Sequence, residues 1–314
     1  MIINTAGEYT LQYTATDACG NSTTVERDLT VLPPPRTVLY TDGTLIINER
    51  PQDIAANIQA HGAATNVYIP FDPNGDTDVK KYIFSSTAEI PWREQRSSII
   101  KVEVGSEIQP TSTRVWFDDF MNCTSMDMSK LDTSLTDDMD NMFWGCAALT
   151  SLDLSNFNTS NVTDMHNMFS TCSSLVSLDL SNFDTSNVTD MKAMFKNCTS
   201  LTDIDLSSFD TGSVSNMKEM FYSCSLLTSL DLSNFNTNSV SDMSSMFYSC
   251  SSIITIYASL NFVVTQVTNS ASMFSWCQNL VGGAGTTYTS YFNDKTYAKI
   301  DGGTSDPGYF TAKS

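Results

Sequence analysis

The feature that most constrains this chain is a period of 26 residues running from about Thr124 to Cys277. Three consecutive segments make it explicit: CAALTSLDLSNFNTSNVTDMHNMFST from Cys146, CSSLVSLDLSNFDTSNVTDMKAMFKN from Cys172 and CTSLTDIDLSSFDTGSVSNMKEMFYS from Cys198. A fourth starts at Cys224, a segment from Cys123 reads as three residues short, and the one from Cys250 is one residue longer. A repeat of this length is one supersecondary unit that cannot cover its own apolar edge, so stability requires neighbours to stack. The fold class that follows is a repeat solenoid (α+β) of short parallel strands and short helical turns, closed at each end by a cap.

Within a coil, Leu149, Leu152, Leu154 and Phe157 follow the L-x-x-L-x-L-x-x-N spacing, with Phe157 in the Asn place. Leu152-Asp153-Leu154 alternates like a short strand with its leucines inward. Met165, Met168, Phe169 and Cys172 fall at i, i+3, i+4 and i+7, the pattern of a helical turn, with Thr163 placed to cap it. The expected core ladder is therefore Leu152, Leu178 and Leu230, the phenylalanines Phe169, Phe195, Phe221 and Phe247, and the cysteines Cys146, Cys172, Cys198, Cys224 and Cys250. Stacked coils hold equivalent Cβ atoms about 4.8 Å apart, against about 3.8 Å in a disulfide, so the seven periodic cysteines are expected as reduced, buried thiols.

These coils resemble the BspA-like leucine-rich-repeat surface proteins, whose bacterial subgroup repeats LDLSNFDTSNVTDMxxMFxxC. Ser177 to Phe195, SLDLSNFDTSNVTDMKAMF, matches that pattern without a gap. The flanks PTSTRVWFDDFMNC and LVGGAGTTYTSYFNDKTYAKIDGGTSDPGYFT are similar to those of the family, so the resemblance covers roughly residues 38–311. It implies display on bacterial surfaces, adhesion to host or matrix components, and no shared catalytic residues.

Five segments are expected along the chain: an immunoglobulin-like hairpin over 1–32, a Pro-rich linker over 33–37, an N-terminal cap with the first strand of the solenoid over 38–122, repeats over 123–277 and a C-terminal cap over 278–314. The hairpin alternates Tyr9, Leu11, Tyr13 with Val25, Leu29, Val31 around the turn Asp17–Asn21, and resembles the closing hairpin of bacterial immunoglobulin-like domains. In the cap, a helix from Gln52 to Ala60 is expected to bury Ile54 and Ile58, and Ile100–Val104 reads as the first strand. The aromatic tail, Tyr288, Tyr291, Phe292, Tyr297, Tyr309 and Phe310, is expected to close the other end.

A net charge of −19 repels phosphate backbones and anionic headgroups, so nucleic acid and bare membrane are poor partners. No run approaches the roughly 18 apolar residues of a spanning helix, and Met1–Thr10 lacks the regions of a signal peptide. For an extracellular protein this leaves an export signal outside this sequence or another route such as phage release. Nucleophile-elbow, zincin, P-loop and dinucleotide motifs do not occur, and no cofactor or enzymatic activity is expected. The methionines fall on core spacing, and His61 and His166 have no partner at metal spacing.

The polar candidate is a column of outward aspartates, Asp127, Asp153, Asp179, Asp205 and Asp231, each between two inward apolar positions. Like charges about one coil apart repel, which calcium or a basic ligand would relieve; neighbouring serines and solvent would screen them equally well. The column Thr163, Thr189, Ser215 and Ser241 reads as capping. Two functional readings follow. One is an adhesion or recognition module that binds a protein or glycan on a host or neighbouring cell; the other is a virion accessory or receptor-binding protein, anchored to virion proteins through its immunoglobulin-like segment.

Overall fold

The computed structural model describes residues 7–16, 22–31, 36–49, 53–68 and 92–313. The expected turn at Asp17–Asn21, the linker prolines and the start of the cap helix at Pro51-Gln52 lie outside the described residues, as do the side chains of the hairpin and of Ile54. Strands β1 (Gly7–Thr16) and β2 (Ser22–Val31) pair antiparallel, Tyr9 opposite Leu29 and Tyr13 opposite Val25.

Strands β3 (Arg36–Tyr40), β4 (Thr44–Glu49), β5 (Ala64–Tyr68), β6 (Lys101–Val104) and β7 (Ser125–Asp127) form one sheet in the order β5-β3-β4-β6-β7. The parallel direction begins at β4, so the segment expected to open the sheet, β6, is preceded by a neighbour. Helix α1 (Ile54–His61) starts two residues later than expected and ends at Gly62, whose φ of +84° suits glycine. Its Ile58 is 45% exposed, contrary to expectation.

From Ser112 onward the chain stacks coil on coil. Parallel bridges join Ser112, Asp138, Asp164, Asp190, Asn216, Asp242 and Asn269 in one column, at 26 residues per step and 27 at the last. This register corrects two readings. Cys146 Sγ donates to Phe117 O at 3.2 Å as Cys172 Sγ donates to Phe143 O, so Phe120 holds the Cys146 position and Cys123 sits where Leu149 sits one coil on. The first coil is thus full length, and its apparent deletion came from aligning the wrong cysteine. The extra residue of the longer coil falls next to β9 (Thr255–Ala258), where Leu260 is 88% exposed.

The second correction concerns the segment read as a helical turn. Beyond its first turn, an α-helix closes each N–H onto the carbonyl four residues back in the same segment. Here alternate amides reach the next coil: Met139 N to Asp164 O at 3.0 Å, Asn141 N to His166 O at 2.9 Å, Phe143 N to Met168 O at 3.0 Å. Met142, Trp144 and Cys146 N close i to i−3 turns, and two residues per coil, four apart, such as Asn141 and Gly145 or Asn167 and Thr171, are left-handed. The i, i+3, i+4, i+7 pattern still buries Met165, Met168, Phe169 and Cys172. Strand pairing is also sparser than the leucine alternation suggests. Only β7, β8 (Ser229–Leu232) and β9 are strands in the array, whereas Leu152-Asp153-Leu154 is not. In the central coils the nearby bonds, Val176 N to Thr150 O and Thr202 N to Val176 O, stretch to 3.4 and 3.3 Å, against 2.8 Å for Ile254 N to Thr228 O.

The interior is one continuous core. Phe143, Phe169, Phe195, Phe221 and Phe247 stack with centroids 5.7–5.9 Å apart, each pair adding about 0.5–1.5 kcal/mol beyond its burial. Leu178 and Leu230 are buried, but Leu152 is half-buried and only packs against the core. All seven periodic cysteines are buried free thiols; burial pushes Cys172 and Cys277 up to about 12.

Composition and spacing did not reveal a ladder of buried threonines. Thr159 Oγ1 donates to Asp184 O at 2.9 Å and accepts from Asp184 N at 2.8 Å, and Thr133, Thr185 and Thr211 do the same to their next coils. Asn156 and Asn182, each standing just before the expected Asn place, have a related role and donate to two carbonyls of the previous coil. Thr185→Val keeps the shape but strands the amide and carbonyl of Asp210, so the urea midpoint should fall by the equivalent of about 2 kcal/mol while Thr185→Ser stays near wild type. Equal midpoints for Val and Ser would deny the threonines this role.

At the C-terminal end, β10 (Phe310–Ala312) pairs parallel with β9, giving the order β10-β9-β8. Tyr309 and Phe310 are buried and Phe292, though 42% exposed, stacks on Tyr297 at 4.5 Å, whereas Tyr291 is 90% exposed and does not join that closure. Asp301 ties the cap together, accepting from Ala284 N, Thr286 N, Thr286 Oγ1 and Gly303 N at 2.7–2.9 Å. Burial would raise its carboxyl, yet these bonds outweigh burial and hold it at about 2.

Candidate functional site: the outward sheet face

The five candidate aspartates occupy one column, and each performs the same local task. Oδ1 of Asp127, Asp153, Asp179, Asp205 and Asp231 accepts from the amide two residues on, Ser129, Ser155, Ser181, Ser207 and Ser233, at 2.9–3.0 Å. Such a turn is a habit of Asp and Asn, which explains the D-L-S spelling without any ligand. The same bonds hold Asp153, Asp179 and Asp205 below the usual carboxylate range. Repulsion is real but subordinate: Asp153 pushes Asp179 upward, and Asp179 and Asp231 push Asp205 upward, less than the serine bonds pull down.

The column's ends differ from its middle. Lys101 pairs with Glu103 at 2.5 Å and also faces Asp127, which Lys130 helps to hold down. At the other end Lys313, next to β10, forms an ion pair with Asp231. Among the described residues no ion pair reaches Asp153, Asp179 or Asp205. The sequence reading missed Glu103, which β6–β7 pairing places opposite Asp127, and Tyr257, opposite Asp231. It also missed both end lysines, because 82 residues separate Lys313 from Asp231.

The hydroxyl column expected to cap helical turns does something else. Thr163 Oγ1 donates to Asp137 O, Thr189 to Thr163 O, Ser215 to Thr189 O and Ser241 to Ser215 O, at 3.1–3.2 Å, alongside the matching amide bonds. It is a ladder between coils, because there is no helix to cap. His166 is part-buried beside Asp140, its Nδ1 3.6 Å from the carboxylate, and not on an open surface. His61 hydrogen-bonds Asp42 at 3.0 Å through Nδ1. Among the described residues no group of His, Cys, Asp or Glu is arranged to hold a metal ion.

A family profile described as "Mycoplasma protein of unknown function, DUF285" matches residues 111–204 and 178–285, together more than half of the chain. The chain belongs to the DUF285 family. DUF285 repeats are those of BspA-like leucine-rich-repeat proteins, a surface-associated group whose repeats are protein-interaction modules, generally without enzymatic activity. No curated protein matches this DUF285 chain. Among solved structures, a leucine-rich repeat protein from Eubacterium ventriosum ATCC 27560 is 15% identical over 82% of this chain and 95% of its own, with a TM-score of 0.21. No helix among the described residues is long and apolar enough to cross a membrane.

Proposed function

We propose that the array is a recognition module displayed on the outside of a bacterial cell, which engages the basic surface of a protein partner through its outward sheet face. One observation carries the reading: Asp153, Asp179 and Asp205 are exposed, kept ionised by their serine bonds, and in no ion pair of the described residues, while lysines of the chain itself meet Asp127 and Asp231, Lys313 also lying near enough to feel Asp205. The end lysines act as the partner's basic groups would, and the middle of the column is where a ligand adds charge complementarity. Calcium bridging to an acidic partner uses the same column, and chelation separates the two cases.

The test is binding to whole cells and to matrix proteins by the wild type and by a variant with all three central aspartates changed to asparagine. Asparagine keeps the Oδ1 acceptor, so the fold survives. Binding should weaken at least tenfold and lose its salt dependence; unchanged, salt-indifferent binding would remove the acidic face from consideration. A second reading has one observation in its favour. The hairpin β1–β2 pairs only within itself among the described residues, and a lone two-stranded ribbon is marginal in water, so it calls for partner strands. In a phage particle those strands would be virion proteins, and deleting residues 1–35 would abolish incorporation while leaving cell binding by the array intact.

A further inference from the structure

The turn segment of each coil presents a column four residues beyond the His166 position, made of Trp144, Ser170, Lys196, Tyr222, Tyr248 and Ser275. Serine at two of these places shows that the coil itself does not require an aromatic ring there. Tyr222 and Tyr248 nevertheless stack at 4.7 Å with planes 3° apart, partly exposed, and Lys196 Nζ lies 5.0 Å over the Tyr222 ring. Lys196 is itself neutralised by Glu219 at 2.5 Å. The stack stops at Ser275, where the ring series steps down to a hydroxymethyl group.

Beside that step stands Trp276, 57% exposed. Its φ of +69° is left-handed, at a column position filled in earlier coils by Asn197, Ser223 and Ser249. Asparagine suits that conformation, whereas a bulky residue there is strained. The side chain is not buried in exchange, so packing does not account for it; the Trp276 amide donates to Tyr288 Oη at 3.1 Å, a bond that any residue at this position would make. An exposed indole thus stands next to an interrupted tyrosine stack, outside the core.

We propose that Tyr222, Tyr248 and Trp276 form a ledge that binds a neutral carbohydrate, with Asn197, Ser223 and Ser249 supplying hydrogen bonds to its hydroxyls. The negative faces of aromatic rings attract the polarised C–H faces of a pyranose, and the flanking amide and hydroxyls match sugar hydroxyls in both donor and acceptor roles. Polyanions are disfavoured by the net charge of −19, and the ledge's one cation is already paired. This inference does not rest on the acidic sheet face, which occupies a different region of each coil.

The experiment uses the full chain and a panel of cellohexaose, laminarihexaose, chitohexaose and mannohexaose, read by calorimetry and by tryptophan fluorescence. Trp92 and Trp116 are fully buried and the half-buried Trp144 stands three coils before Tyr222, so an emission change that disappears in Trp276→Phe reports the ledge. At least one sugar should bind, weakened tenfold or more by Tyr248→Ala and much less by Tyr248→Phe, and unaffected by the triple aspartate change. Trp276→Asn relieves the strained backbone, so it should raise the melting temperature while abolishing binding, which separates loss of the site from loss of fold. Failure of every sugar to bind, or binding indifferent to Tyr248→Ala and Trp276→Asn, would overturn the proposal.

Discussion

Leu178→Asp is expected to unfold the central coils, while Asp179→Asn, at the adjoining position, leaves the melting temperature nearly unchanged. Leu178 is 6% exposed and lies in the continuous core; a carboxylate there meets no donor and costs several kcal/mol, on the order of a whole domain's stability. Asp179 points outward, and its Oδ1 accepts from Ser181 N at 3.0 Å, a bond that an asparagine oxygen accepts as well. Asn158 and Asn236 make this same turn elsewhere in the array. Almost no change is expected at 179, tending to stabilisation because the upward push from Asp153 is removed. Because coils transmit stability to their neighbours, Leu178→Asp should also broaden the transition, with the ends melting apart from the middle. Comparable melting temperatures for the two variants would mean that inward and outward faces are exchanged.

The faces themselves were legible from spacing alone, since a period of 26 puts the same chemistry at the same place in every coil. Phe169, Phe195 and Phe221, and Cys172, Cys198 and Cys224, are buried wherever the period puts them. What the period could not convey is backbone conformation. A right-handed helical turn and a ribbon with two left-handed residues per coil bury the same i, i+3, i+4, i+7 positions, and the inter-coil amide bonds and the left-handed residues distinguish them. Asn141, Asn167 and Gly145 were the available hint, being residue types that tolerate a positive φ. Thr163 read as a cap only because a helix was assumed. The Cys123 register misled because the cysteine at 123 is real but stands at a leucine position. On the candidate site, the aspartate column was readable, whereas its lysine-bracketed ends depend on chain closure at β10 and β6, which no local pattern encodes.

Asp140 should contribute stability that is lost as pH rises from about 4 to about 7, and Asp140→Asn should remove that contribution while those of Asp118 and Asp164, also raised by burial, remain. Asp140 belongs to a column of Arg114, Asp140, His166, Lys192 and Lys218, the one acid among basic types, and its side chain is nearly buried. Burial pushes its carboxyl up to about 7; Arg114, with Nη2 at 3.0 Å, pulls it down, but Asp164, Asp138 and Asp190 push upward again. The raised folded value means the native chain holds a proton that the unfolded chain, with a carboxyl near 4, has released. The resulting contribution to stability is full below about pH 4, declines through the window between the two values, and is gone above about 7. Three pKa units correspond to roughly 4 kcal/mol at most, so an asparagine, which is neutral at every pH, should stabilise the chain at pH 8 by roughly 2–4 kcal/mol. Its amide can donate to a neighbouring carboxylate as the protonated acid does, and its oxygen can still accept from Arg114. Asp301, held at about 2, has the opposite sign: its contribution is present above about pH 4 and is lost as pH falls toward 2. Urea midpoints from pH 3 to 8 for wild type and Asp140→Asn provide the check. A wild-type midpoint that climbs from pH 5 to 8, or an asparagine variant that is weaker at pH 8, would show that Arg114 dominates and that Asp140 is an ordinary ion-paired carboxylate.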